Sequence, residues 1–189
     1  MQANNLTDKQ LAGQRLMAGF EGRYFNNELR ALIHDLQVGG LILFKLNIDT
    51  PDQVRELCRD CQAFAAQCGQ PPLLIAVDQE GGPVARLRAP FTEFPGNPHM
   101  QGLDDARHFG EVTAKELTSI GINMDMAPVL DVAPADMSGI MADRVFGSDP
   151  NHVSTMGCAV IETLQQRGVM AVANHFPGIG RTRIDSHLD

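Results

Sequence analysis

A short apolar run, a loop and an amphipathic helix recur along this chain, and that rhythm restricts the fold more than any other feature. The runs lie at residues 16–20, 40–44, 73–77, 122–127 and 169–173. Helical spacing follows at about 27–35, 51–68, 104–120 and 151–167. Thr50 is placed to cap the second of these helices, with Pro51 at its first position. Continuous apolar strands are buried on both faces, and their alternation with helices gives a parallel α/β sheet. Residues 79–102, rich in Gly and Pro, read as one long loop.

Two architectures satisfy that pattern, a doubly wound sheet and a (β/α)8 TIM-type barrel. No G-x-G-x-x-G follows the first run, which removes support for a dinucleotide fold. Polar residues stand just beyond several strands: Asp78 after the third, Asp131 after the fourth, Asn174 and His175 after the fifth. In a barrel those ends share one face, and that face carries the site. The chain supplies about the first five βα units, so residues 1–189 read as a single, incomplete barrel domain of a longer protein. An open five-stranded sheet is the alternative.

Charge narrows the function. There are 15 Lys and Arg against 23 Asp and Glu, a formal net charge of −8, with no basic stripe to neutralise phosphates. A nucleic-acid partner is therefore not expected. No apolar run approaches the roughly 20 residues of a membrane helix, and the polar start MQANNLTDKQ has no signal-peptide core. The expectation is a cytoplasmic protein without a membrane partner. Cys58 and Cys61 have C-x-x-C spacing but fall on the apolar stripe of a helix with Val54 and Leu57. They read as small buried hydrophobes rather than zinc or redox ligands. His34, His99, His108 and His152 read as surface or packing residues, and no metal or cofactor is implied.

The chemistry-bearing residues come in an ordered set. Asp78-Gln79-Glu80-Gly81-Gly82 follows the third run, with Arg86 eight residues after Asp78. Ala127-Pro128-Val129-Leu130-Asp131-Val132 follows the fourth, and Asp143-Arg144-Val145-Phe146-Gly147 lies in the next loop. Asn174-His175-Phe176-Pro177-Gly178 follows the fifth, and Asp185-Ser186-His187 comes near the last residue. Taken singly, Asp78 reads as a turn cap, Gly81-Gly82 as a tight turn, and Arg86 and Arg144 as surface ion pairs. Asp185-Ser186-His187 is no Ser-His-Asp triad on its own, because a triad is defined by geometry that adjacent residues seldom supply.

In order and spacing the set, with Gly39-Gly40-Leu41-Ile42-Leu43-Phe44, resembles glycoside hydrolase family 3. It is most similar to the bacterial β-N-acetylglucosaminidases that recycle peptidoglycan fragments. The resemblance implies a (β/α)8 barrel and retaining, exo-acting hydrolysis of terminal β-linked N-acetylglucosamine. It implies His187 as acid/base with Asp185 as its partner, and Asp78, Arg86, Arg144, Asn174 and His175 as sugar-binding positions. The family's nucleophile is an aspartate after a later strand, so residues 1–189 alone are expected not to hydrolyse glycosides. Three positions depart from the family pattern: Asn174 for a lysine, Ile179 for a common histidine and Pro83 for a common arginine.

The residue types suit that chemistry. Glycosidic cleavage needs a group to protonate the leaving oxygen and another to meet the oxocarbenium-like centre. A histidine exchanges protons near neutral pH, and a nearby carboxylate can hold its tautomer. Carboxylates and guanidiniums fork onto hydroxyls. Tryptophan is absent and Tyr24 is the only tyrosine, so a small terminal-sugar pocket fits better than a polysaccharide platform. A β-glucosidase-like member of the same family and a non-catalytic sugar-binding barrel are the alternatives. The oligomeric state is not readable from the sequence.

Overall fold

The computed structural model describes residues 6–134 and 139–182. They form two compact units. The first comprises residues up to Val77 together with Leu117–Met124; the second comprises Asp78–Glu116 and the described residues from Asp125 onward.

The first unit opens on a helix that the apolar rhythm does not announce, α1 (Asp8–Gly13). Its start is set by a capping box: the Thr7 hydroxyl accepts the Gln10 N–H, and the Gln10 side chain accepts the Thr7 N–H. β1 (Met17–Ala18) and β2 (Gly40–Leu43) are linked through α2 (Asn27–Arg30), which continues as a π-helical turn, Ala31–Asp35. α3 (Pro51–Gln67) begins where its cap requires, with the Thr50 hydroxyl accepting the Gln53 N–H at 3.2 Å. It leads into β3 (Leu74–Val77). The three strands are parallel, with Met17 opposite Gly40 and Gly40 opposite Leu74. A Cβ on Gly40 would lie 2.8 Å from the Leu74 carbonyl oxygen, so glycine is required for this close pairing. Leu29, Ile33, Leu41, Leu57 and Ile75 form the buried interior.

Cys58 and Cys61 are free and buried in that interior. Burial pushes both thiols up to about 12, and Cys58 and Asp60 add to the effect at Cys61. Both are packing residues without thiolate chemistry.

The second unit carries a hairpin where the sequence reads as a continuous loop. β4 (Gln79–Gly81) pairs antiparallel with β5 (Val84–Ala85). Gly81 and Gly82 turn it with φ of 84° and 58°. A Cβ on Gly82 would stand 2.9 Å from the Pro95 carbonyl oxygen, so both the turn and the returning chain demand glycine. α4 (Leu103–Ser119) follows, all but its last turn in this unit. β6 (Met124–Asp125) contributes its second residue here, then come α5 (Pro150–Gln166), capped by Asp149, and β7 (Met170–Ala171). The segments after β6 and β7 run parallel: the Val172 N–H reaches the carbonyls of Asp125 and Ala127, and Val129 pairs with Asn174.

The α/β reading with parallel strands and intervening helices therefore holds, while the ladders are shorter than the apolar runs. One cause is visible at Asn123 in the first unit. Its side chain accepts the Ile75 N–H at 2.8 Å and donates to the Leu73 carbonyl at 3.0 Å, taking the place of a further ladder residue. Among the described residues, no helix is long and apolar enough to cross a membrane.

Because Asn123 satisfies a strand donor and a strand acceptor, Asn123→Ala should destabilise the protein by about 1–3 kcal/mol. Chemical denaturation should show a lower midpoint with an unchanged slope.

Candidate active site

The polar residues at the strand ends of the second unit are held in three charged pairs that differ in burial. Asp78 is the first residue after β3, and Arg86 follows β5. Arg86 Nη2 donates to Asp78 Oδ2 at 2.7 Å, with the side chains 30% and 19% exposed. Arg144, in the loop before α5, forks onto Glu80 of β4: Nε donates to Oε2 at 2.9 Å and Nη2 to Oε1 at 2.7 Å. This pair is far more enclosed, at 13% and 4% exposed. The Glu80 hydrogen bonds outweigh the opposing effect of burial, and with the charges of Glu80, Asp131 and Asp78 they raise the Arg144 guanidinium above its ordinary value. The Asn97 amide donates to the Arg144 carbonyl at 2.8 Å and fixes the backbone behind the fork.

The third pair is His175 with Asp131. His175 Nδ1 and Asp131 Oδ2 are 2.6 Å apart, and the aspartate side chain is fully buried. Oδ2 also accepts the His175 N–H, while Oδ1 accepts those of Ile179 and Gly180. Burial alone would raise this carboxyl. The hydrogen bonds from His175 and Ile179 and the charge of His175 reverse it, holding Asp131 below the ordinary carboxylate range. A cleft of about 260 Å³ adjoins the pair, lined by Asp131, His175, Pro177, Gly178 and Arg181 among others. A larger cavity of about 350 Å³, bordered by Phe94, His99, Met100 and His108, includes none of these charged pairs. The chemistry points to the smaller cleft.

Beneath the loops lies an apolar cluster of Val129, Ala133, Met141 and Val145, with Ile140 and Ile179 packed on it. It ties together the segments that carry Asp131, Arg144 and His175. Ile179, where a histidine is common in the resembled pattern, has a packing role here. Pro83 sits exposed in the β4–β5 turn. Asn174 turns its amide inward, donating to the Met126 carbonyl at 2.8 Å. Asp185 and His187 lie outside the described residues.

The structure thus brings Asp78, Arg86, Arg144 and His175 into one unit, with the charges of Asp78 and Asp131 acting on Arg144. It adds three acids absent from the sequence-derived site. Glu80 stands inside the Asp78-Gln79-Glu80-Gly81-Gly82 motif, yet its partner is 64 residues away and only the fold reveals it. Asp131 stands at a strand end, where three backbone N–H groups and the His175 ring converge on it. Asp125 is fully buried on β6; Oδ1 accepts the Gln79 N–H at 3.0 Å and Oδ2 has no partner. Burial drives its carboxyl well above the ordinary range; the Gln79 N–H opposes this, and the Glu80 and Asp78 charges reinforce it. Among the described residues, no three His, Cys, Asp or Glu side chains converge as a metal site.

Residues 7–189 match the family described as glycosyl hydrolase family 3 N terminal domain. The chain belongs to glycosyl hydrolase family 3. A beta-hexosaminidase of Pseudomonas aeruginosa is 38% identical over 179 residues, covering 92% of this chain and 52% of the relative. A solved glycoside hydrolase family 3 beta-N-acetylglucosaminidase from Paenibacillus sp. superposes with a TM-score of 0.91 at 38% identity, over 96% of this chain and 35% of that one. NagZ from Neisseria gonorrhoeae, solved in complex with N-trifluoroacetyl-D-glucosamine, gives a TM-score of 0.81 at 29% identity, over 92% and 53% of the two chains. The chain spans about half the length of the curated relatives it matches. Family 3 membership and the (β/α)8 type of fold are thereby shown.

Two outcomes follow from the geometry. A raised acid keeps its proton in the folded state while the unfolded chain loses it, so Asp125 costs stability as pH rises above the ordinary carboxylate range. Asp125→Asn should therefore gain stability relative to the parent as pH climbs from about 4 towards 7, with denaturation midpoints converging in acid. Asn174→Ala should lose about 1 kcal/mol through the Met126 carbonyl, measured the same way.

Proposed function

We propose that this family 3 chain is part of an exo-acting, retaining β-N-acetylhexosaminidase that removes terminal N-acetylglucosamine from peptidoglycan-derived fragments in the cytoplasm. The observation that carries the reading is the set of acid–base pairs beyond the strand ends, Asp78–Arg86, Glu80–Arg144 and Asp131–His175. Carboxylates and guanidiniums of this kind fork onto sugar hydroxyls where they are open to a ligand, and the more enclosed pairs hold those groups in place. In the proposed pocket Asp78, Arg86, Arg144 and His175 meet the sugar, with Asn174 at its edge. The hexosaminidase names of the similar proteins support the same substrate class. The four cysteines, all free, suit a reducing compartment.

In this reading His187 protonates the departing oxygen and then activates water, while Asp185 orients its ring. The nucleophile is an aspartate of the family's later barrel strands and is not assigned to any residue of this chain. The β-glucosidase alternative lacks the Asp-Ser-His loop that this sequence carries. The sugar-binding, non-catalytic alternative draws on Asn174, whose inward amide leaves the lysine's charge unreplaced. N-acetylglucosamine binding without turnover would favour it.

The deciding experiment compares leaving groups. His187→Ala should slow substrates with poor leaving groups by about 10²–10⁴-fold and spare those whose leaving group needs no proton. Asp185→Ala should show the same dependence with a smaller loss. Equal losses for good and poor leaving groups would remove the acid/base assignment.

A further inference from the structure

We propose that Asp131 is a positioning residue that sets which ring nitrogen His175 offers to the sugar and locks the turn at 179–180 to the same carboxylate. The proposal rests on the sugar-pocket reading above. Its basis is a division of labour between two oxygens. Oδ2 takes both donors of His175, its backbone N–H at 3.2 Å and its ring Nδ1 at 2.6 Å. Oδ1 takes the backbone N–H of Ile179 and that of Gly180 at 2.9 Å. A buried carboxylate that already accepts three backbone N–H groups is an acceptor only, so Nδ1 carries the hydrogen towards it. Nε2 is then the nitrogen left to a ligand, on a side chain that is 31% exposed.

The approach of the turn is as specific as the ring contact. A Cβ on Gly180 would stand 2.7 Å from the Val132 carbonyl oxygen and 3.1 Å from Asp131 Cβ, so only glycine brings this N–H to the carboxylate. Ile179, beside it, is seated on the apolar cluster that also holds Val129 and Met141. Asp131 therefore couples two things that a sugar pocket needs fixed together, the histidine at the strand end and the turn immediately before the segment that carries Asp185 and His187. Asparagine at 131 keeps the shape and loses one of the two acceptors. If its oxygen stays with Ile179 and Gly180, its NH₂ faces Nδ1, and the ring must move its hydrogen to Nε2.

The test reads the ring directly. ¹⁵N–¹H spectra of the imidazoles in the purified protein, with His175 assigned through His175→Gln, should show the Nδ1–H form with a strongly hydrogen-bonded proton. Asp131→Asn should convert the ring to the Nε2–H form and weaken N-acetylglucosamine binding by about 10–100-fold, by analogy with the groups that orient a metal-binding histidine. An Nε2–H ring in the parent protein overturns the proposal even where the variant fails to fold. So does a variant that binds the sugar as tightly as the parent. A parent that shows the Nδ1–H ring but binds no N-acetylglucosamine upholds the Asp131 contact and overturns the sugar reading instead.

Discussion

A carboxylate withdrawn from water must be neutralised, paired or surrounded by donors, and the second unit contains one of each. Asp125 is left with a single backbone donor, and burial favours its neutral acid. Glu80 is paired by the bidentate fork of Arg144. Asp131 is ringed by three backbone N–H groups and the His175 ring, and keeps its charge. These solutions depend on one another. Asp125 holds the Gln79 N–H, which positions β4; β4 presents Glu80; Glu80 holds Arg144, whose guanidinium also feels Asp131 and Asp78. Removing any one member leaves a buried charge or donor unmet, and that constraint fixes the strand-end loops more firmly than their lack of regular structure suggests.

Much of the architecture was legible because the apolar runs and caps have local causes. Thr50 and Pro51 mark the start of α3, and α4 and α5 begin within a residue of where the periodicity puts them. α1 was legible in principle through Thr7 and Gln10, but six residues without a preceding strand fall outside the βα rhythm. The β4–β5 hairpin hid in a stretch of Gly and Pro because its two strands total five residues and its turn looks like any loop. Site residue types were legible through the ordered motifs. Their partners were not: the choice of Glu80 for Arg144, or of Asp131 for His175, spans 64 and 44 residues and is made by the fold.

Two of the three departures from the family pattern have structural accounts that composition could not supply. Ile179 replaces a polar ring with an apolar anchor on the cluster of Val129, Ala133, Met141 and Val145, beneath the loops that carry the charged pairs. Asn174 exchanges a cation for an amide that bridges to the Met126 carbonyl, alongside the parallel bridge between Val129 and the same residue. Both side chains are committed to contacts within the protein. Pro83, exposed in the hairpin turn, has no comparable account in the structure.

The difference in burial among the pairs also sorts them by what a ligand can ask of them. Breaking the enclosed Glu80–Arg144 fork would strand a carboxylate that is 4% exposed, a cost that hydrogen bonds to a sugar do not recover. Asp78 and Arg86, at 19% and 30% exposed, are less enclosed than that fork and closer to the weak pairing of surface charges. Exchanging one of their contacts for a hydroxyl costs correspondingly little. In the proposed pocket, Asp78, Arg86 and the outward nitrogen of His175 are thus suited to hold substrate, while Glu80 and Asp131 are suited to hold the protein. Arg144 stands between the two roles: two of its nitrogens are committed to Glu80, and the guanidinium's charge is what it contributes to the space beyond.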